Sequence, residues 1–465
     1  MTASTTDPAV TPAATPAADP AVTPAADQAT DQAGGLVGTV RRHMDLLLNA
    51  GSLMATTAIT SLLGFAYWWL AARTVPAEAV GQASAAVSAM TLIGTIGMFG
   101  MGTMLISELP RMTDRRWNMI SACLLVAGTV ATVGGLGYVV VAHLAIPGLR
   151  GALGSPAATA LLVFGIALNA MTLVLDEALV GLLAGPMQLM RNTYFAVIKF
   201  VLLGGLVLLP ITVTGGELLL TWIAGAVASV ALLSAALRRR RMVDSVRPTL
   251  TMLRGMGRRT FDHNLLNLAA FLPRAAMPLV VTAVLSTRAT AGFYTAWMVL
   301  SFIAMIPGNT ALTLFAVASG DRRALRSKVR MGLLICLGGG IPVAALIGMA
   351  AHPVMSIFGT GYVAIAGDAL SILALTYVPF VFHHFYLAIS RVTGRIRPAG
   401  VFCLVAGLTE LAAAWYGGTR GSLTDLVWWL FAVMAVETVL VAPTVLRVVL
   451  PDTWRRGDAT GSAGN

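Results

Sequence analysis

Arg274 stands about ten residues into an apolar run that begins near Asn264. At about 1.5 Å per helical residue that is a depth of roughly 15 Å, the middle of a bilayer's hydrocarbon if the run crosses one. An ionised side chain there costs on the order of 3 kcal/mol on insertion scales, so it belongs against an interior cavity. Two readings stand side by side for Arg274. In one, its planar fork of donors receives a phosphate or carboxylate; in the other, it is paired permanently with a buried acid. Asn267 lies seven residues earlier on the same helical face, with Phe271 between them and Pro278 continuing the stripe. Pro273 and Pro278 bracket the arginine, and a proline in a helix frees backbone carbonyls that a cavity can use.

Other deep polar residues offer different chemistry. Asn169, Thr172 and Asp176 follow one face of a second apolar run, with Glu177 turned roughly 100° away. Lys199 falls in the next run, so an Asp176 or Glu177 pair with Lys199 across the Gly185-Pro186 hairpin is expected, either as a structural bridge or as part of a coupling site. Glu410 and Glu437 each sit near the middle of a late run, where a proton-coupling carboxyl and a neutral hydrogen-bonded one are both open readings. His383-His384 point about 100° apart on a helix, which argues against a joint metal site. Pro307-Gly308-Asn309 marks a kink, with Asn309 a candidate cavity residue. The cavity set is therefore Arg274, Asn267, Asn309 and Asn169, and the coupling or ion-pair set is Asp176, Glu177, Lys199, Glu410 and Glu437. No metal and no cofactor is expected.

These residues are carried by a chain of 465 residues that is 57% hydrophobic and 11% charged, against about 25% charged in an ordinary soluble domain. Twelve runs of membrane-spanning length are predicted, near 51–71, 82–107, 118–146, 157–183, 193–213 and 217–237, then 264–286, 292–318, 331–351, 365–390, 399–418 and 424–448. Twelve spans put both termini on one side. The basic residues agree, because 25 of the 31 Lys and Arg fall in the tails and loops of that side and only Arg73, Arg150, Arg288 and Arg420 in the opposite loops. Lys and Arg are retained on the cytoplasmic side, so both termini are predicted there. The net charge of +11 then has a topological origin, and nucleic acid is not an expected partner.

Two sets of signals repeat at a near-constant offset. Arg41-Arg42-x-x-Asp45-x-x-Leu48 returns as Arg258-Arg259-x-x-Asp262-x-x-Leu265, Gly81-x-x-Ser84-Ala85 as Gly292-x-x-Thr295-Ala296, Asp114-Arg115-Arg116 as Asp321-Arg322-Arg323, and Ala142-His143 as Ala351-His352. Two facing lobes are the build of carriers that bind substrate between repeats. The division expected is an Ala/Pro/Thr-rich cytoplasmic tail at 1–40, predicted disordered, a six-helix lobe at 41–237, a basic connector at 238–263 lying on anionic inner-leaflet lipids, a second six-helix lobe at 264–448 and a tail at 449–465. No Gly-x-x-x-x-Gly-Lys-Ser/Thr loop or zinc spacing occurs, and no loop is long enough for an enzymatic domain, so transport is expected rather than catalysis. Arg outnumbers Lys 29 to 2, which with abundant Ala and Gly hints at a bacterial genome rich in GC. The expected location is a bacterial cell membrane.

The run Ala71-Ala72-Arg73-Thr74-Val75-Pro76-x-Glu78-x-x-Gly81, then Ser88 and Gly97 to Pro110-Arg111, resembles the first two helices of polysaccharide flippases in the multidrug/oligosaccharidyl-lipid/polysaccharide superfamily. Gly292-Phe293-Tyr294-x-Ala296, Ile306-Pro307, Ile357-Phe358-Gly359-x-Gly361-Tyr362 and Gly367 to Leu375 extend the resemblance, which covers about 40–400. It implies an all-α integral membrane protein of two six-helix lobes with alternating access. It further implies carriage of a polyprenyl-pyrophosphate-linked glycan to the outer leaflet, with Arg274 in the cationic cavity that receives the pyrophosphate and glycan-assembly enzymes as neighbours. One departure is plain: the deep acids Asp176, Glu177, Glu410 and Glu437 outnumber the deep bases Arg274 and Lys199. The rival expectations are a multidrug extruder of the same superfamily, a peptidoglycan-precursor (lipid II) flippase, and a non-transporting membrane scaffold. The first span has no carboxylate of the kind proton-coupled extruders commonly carry.

Overall fold

The computed structural model describes residues 55–98, 100–112, 114–145, 155–243, 246–253, 257–318 and 325–449; side chains at 145, 257–267, 270, 312 and 315–318 are not described. The expected tail at 1–40 and nearly all of that at 449–465 lie outside the described residues, as do Arg41, Arg42 and Asp45 of the repeat.

Helices account for almost all of the rest. In the first half they are α1 (55–74), α2 (Ala77–Met98), α3 (Met101–Glu108), α4 (Arg116–Ala145), α5 (Pro156–Gly181), α6 (Gly185–Val207) and α7 (Gly215–Arg239). The second half has α8 (Gly257–Val284), α9 (Thr287–Ala318), α10 (Leu325–Met349), α11 (Ala351–Ser356), α12 (Thr360–Leu375), α13 (Tyr377–Val392), α14 (Ile396–Gly418) and α15 (Leu423–Val449). Local sequence sets their starts. Ser155 caps α5 by accepting from the Ala158 N–H at 3.1 Å, with Pro156 at the first helical position where no donor is needed. Thr214 and Glu217 form a reciprocal capping box at α7.

Among the described residues nine helices are long and apolar enough to cross a membrane, and α12 with α13, bent by 45°, makes a tenth. Two of the twelve predicted spans remain. One is α1, and the other is α8, whose apolar part is Phe271–Val284. The periphery is apolar: Leu144, Met349 and Val439 are each more than 70% exposed, as side chains facing lipid rather than water would be. Two predicted spans are subdivided. The run near 82–107 breaks around Gly100 into α2 and α3, and the run near 365–390 breaks at Thr376. Helix α8 begins at Gly257, inside the segment predicted as connector.

Three apolar clusters organise the bundle. One lies in the first half around Ile120, Ile166 and Val174, another in the second half around Leu333, Tyr377 and Phe385. The largest joins the halves, packing Tyr67, Trp68, Ala71 and Val80 with Phe293, Phe358, Leu370 and Phe380. One end of this seam is also pinned by polar contacts. The Ile357 carbonyl accepts from Trp69 Nε1 at 2.9 Å and from Arg73 Nε at 2.8 Å, and Glu78 meets Arg288 at 3.9 Å. Beside them α2 crosses α9 so closely that a Cβ at Gly81 would overlap the Thr287 carbonyl oxygen.

Candidate functional site

Arg274 is carried by α8, which lies along α14. The two helices touch where Gly407 faces Pro273, for a Cβ at 407 would sit inside the proline ring's van der Waals envelope. Glu410 follows Gly407 by three residues on α14, so the contact that seats Gly407 also brings Glu410 to Arg274's cavity. Overpacking of this kind costs about 1–3 kcal/mol. Gly407→Ala is therefore expected to lower the thermal unfolding temperature of the purified protein, and a variant that melts like the wild type would show that the Pro273 contact is dispensable.

From α13, Phe380 presents its ring to the Arg274 guanidinium, 4.8 Å from Cζ to centroid. One turn later His383 turns toward α15, where its Nε2 is 3.5 Å from Glu437 Oε2. Glu437 Oε1 accepts from Thr409 Oγ1 of α14 at 3.0 Å. His384 points elsewhere, with Nδ1 2.7 Å from the Phe380 carbonyl oxygen. The expectation that the adjacent histidines do not act together agrees with this geometry. Arg274, His383, Glu410 and Phe380 line a cavity of about 50 Å³ together with Phe402 and Cys403. Arg274 and Phe380 also line a second cavity of about 190 Å³ with Trp297, Ser301 and Met305. They stand between the two. Among the described residues no carboxylate lies within 4.0 Å of the Arg274 guanidinium nitrogens; Glu410, which lines the same cavity, is the acid whose charge acts on it.

The first half holds a third cavity of about 180 Å³, lined by Met90, Asn169, Thr172, Asp176, Arg191, Asn192 and Trp222 among others. Asn169 Nδ2 donates to the Met90 carbonyl at 3.0 Å, tying α5 to α2. Here one expectation is corrected. Asp176 does not pair with Lys199; its carboxylate takes a two-pronged contact from Arg191, with Nε to Oδ1 at 2.7 Å and Nη2 to Oδ2 at 2.5 Å, and Asn192 joins both. The reason is the hairpin. Measured from the turn at 182–184, Asp176 and Arg191 sit at similar depths of roughly 10 to 12 Å, whereas Lys199 is about 22 Å along. Glu177 faces α3 instead, its side chain against Gly102.

Lys199 is only 4% exposed and closed in by rings, with Nζ 3.5 Å from the Trp222 centroid, 4.5 Å from Phe195 and 5.2 Å from Tyr67. Three aromatic faces supply partial negative charge in place of an acid. Of the remaining candidates, Asn309 is exposed and lines none of these three cavities. Asn267 belongs to α8, but its side chain lies outside the described residues. Arg191, placed in a loop by the charge count, is a buried helical residue. Composition alone carried no signal for it, although its symmetric distance from the turn did. His383 as a partner of Glu437 is the other unpredicted contact.

No family model matches the sequence, and no curated protein matches it. Solved structures do. An inward-facing multidrug resistance MATE family transporter of the MOP superfamily aligns at 14% identity, over 85% of this chain and 98% of that one, with a TM-score of 0.61. The lipid II flippase MurJ in an inward closed conformation aligns at 12% identity over 84% and 86%, with a TM-score of 0.65. The chain has the fold of these two transporters. Another structure with this fold, a MOP superfamily transporter from Pyrococcus furiosus whose binding pocket is described as having reverse polarity, matches at 16% identity over 87% and 95%, with a TM-score of 0.55. These likenesses agree with the all-α membrane architecture expected from the sequence.

Proposed function

We propose that this MOP-fold protein is a membrane translocase for a polyprenyl-pyrophosphate-linked oligosaccharide or polysaccharide precursor, moved from the inner to the outer leaflet by alternating access. The observation that carries the proposal is Arg274. It is a mid-helix cation beside two cavities with no carboxylate within ion-pair distance among the described residues. The other deep bases are already occupied: Arg191 by Asp176 and Lys199 by its three rings. A diphosphate supplies the bidentate acceptor that a free guanidinium lacks. Trp297 and Ser301 beside it offer an aromatic face and a hydroxyl to a sugar. The exposed arginines 238–241 at the end of α7 would rest on anionic headgroups of the cytoplasmic leaflet, and the enzymes that assemble the glycan are the expected neighbours.

A second reading has its own support. Glu410 and Glu437 near the same cavity are what an extruder of cationic drugs would need. Native mass spectrometry of the purified protein with its retained lipids separates the two. The expected result is a polyprenyl-pyrophosphate glycan on the wild type that Arg274→Ala loses. If that lipid is supplied and both forms bind it equally, or neither does, the phosphate role of Arg274 fails and drug efflux takes its place.

A further inference from the structure

Two buried atoms near Arg274 face each other without a hydrogen-bond partner. They are His383 Nε2 and Glu437 Oε2, 3.5 Å apart. Glu437 is 4% exposed, and its other oxygen is already held by Thr409. An orphaned donor or acceptor in such a place costs about 1–3 kcal/mol, so a third body between the two atoms is the economical arrangement. One ligand atom each from His383, Glu410 and Glu437 converge within 4.8 Å of one another. They come from α13, α14 and α15, so the cluster is built by tertiary packing and not by one helix's periodicity.

We infer that His383, Glu410 and Glu437 bind a divalent first-row metal ion, Zn²⁺ or Mn²⁺, and that the ion with Arg274 receives the diphosphate of the substrate. Imidazole with two carboxylates is a mixed nitrogen and oxygen donor set that suits these ions. With metal–ligand bonds of about 2.0–2.1 Å at a tetrahedral angle, two ligands stand roughly 3.4 Å apart, close to the observed His383–Glu437 separation. Three protein ligands leave at least one coordination position for a phosphate oxygen, and a metal there polarises and neutralises it. The cavity that Arg274 shares with His383 and Glu410, about 50 Å³, adjoins the three ligands and has room for a water beside the ion.

The charge pattern gives the second argument. When ionised, Glu410 in the cavity of the anchoring arginine and Glu437 behind it would repel a diphosphate, since like charges within a few ångströms in a partly buried site oppose each other. A divalent cation between them reverses the sign. The excess of acids over bases, which departs from a purely cationic cavity, then becomes part of the anion site. The bridging role rests on the function proposed above; the metal site itself does not.

The test uses full-length protein stripped with a chelator, purified in detergent and titrated with Zn²⁺ and with Mn²⁺ by calorimetry. One equivalent of at least one ion is expected to bind, and Glu437→Gln, Glu410→Gln and His383→Ala are each expected to weaken it by at least about tenfold. Arg274→Ala is expected to keep the ion, and melting temperatures confirm that the variants are folded. Failure of both ions to bind stoichiometrically, or binding untouched by all three substitutions, overturns the inference. Retention of undecaprenyl pyrophosphate is then compared with and without the bound ion. Metal-dependent retention supports the bridge, and equal retention in both states overturns it. Metal binding with no lipid retention in any form defeats the translocase reading while the metal site stands.

Discussion

Asp176→Ala is expected to destabilise the protein by about 3–5 kcal/mol, enough to remove most folded material from a detergent extract. The substitution leaves Arg191 at 4% exposure with its Nε and Nη2 donors stripped of the carboxylate. The penalty comes from that stranded charge, more than from the intrinsic worth of the pair. Replacing both members, as in Asp176→Leu with Arg191→Met, removes the charge along with its partner and is expected to recover most of the loss. Size-exclusion chromatography monitored by fluorescence, with a melting series on the same samples, reads both effects. A double variant no better than Asp176→Ala would mean that the pair holds α5 and α6 together by its own attraction. Lys199 supplies the contrast. Its surroundings are rings, so removing Asp176 should leave the Lys199 site intact, and Trp222→Leu should be the change that exposes it.

What could be foreseen and what could not follow from how local each signal is. Arg274 was legible because depth in a span is simple arithmetic, and the fold puts it at the cavity that arithmetic implied. Its partnership with Phe380 and its lack of an ion-paired carboxylate among the described residues were not legible, because both depend on which helices become neighbours. The Asp176 pairing was misjudged for a local reason: equal depth on two arms of a hairpin requires equal distance from the turn, which Arg191 satisfies and Lys199 does not. The break at Thr376 lay in a run with unbroken hydropathy, but Pro379 removes a backbone donor and crowds the carbonyl four residues earlier, at Leu375 where α12 ends. The same residue type at Pro307 sits inside a continuous α9, so proline alone did not decide the matter. His383 with Glu437 was beyond reach, since nothing in either local sequence points to the other.

Gly81→Ala is expected to disfavour the pinned arrangement of the two halves by about 1–3 kcal/mol, which shifts the closed-to-open ratio at that end roughly 5- to 150-fold. The argument turns on what the added methyl meets. At Gly81 it meets the Thr287 carbonyl oxygen, a backbone atom at the start of α9 that cannot rotate away as a side chain would. Helices α2 and α9 must therefore separate, and every contact that depends on their crossing loosens with them. The Trp69 and Arg73 bonds to Ile357 are affected first, because they bridge the same seam. The Glu78–Arg288 pair contributes little by itself, both partners being more than half exposed, so these two positions can report on the seam. With Cys123, Cys336 and Cys403 replaced, Glu78→Cys and Arg288→Cys should be bridged by a bifunctional thiol reagent efficiently when residue 81 is glycine and much less when it is alanine. Equal cross-linking in both would show that the seam is held by the apolar cluster of Tyr67, Phe293 and Phe358 irrespective of the α2–α9 approach. A shift with no loss of melting temperature would instead mean that the alanine protein has settled with the opposite end of the seam closed, the second state that the alternating access proposed above requires.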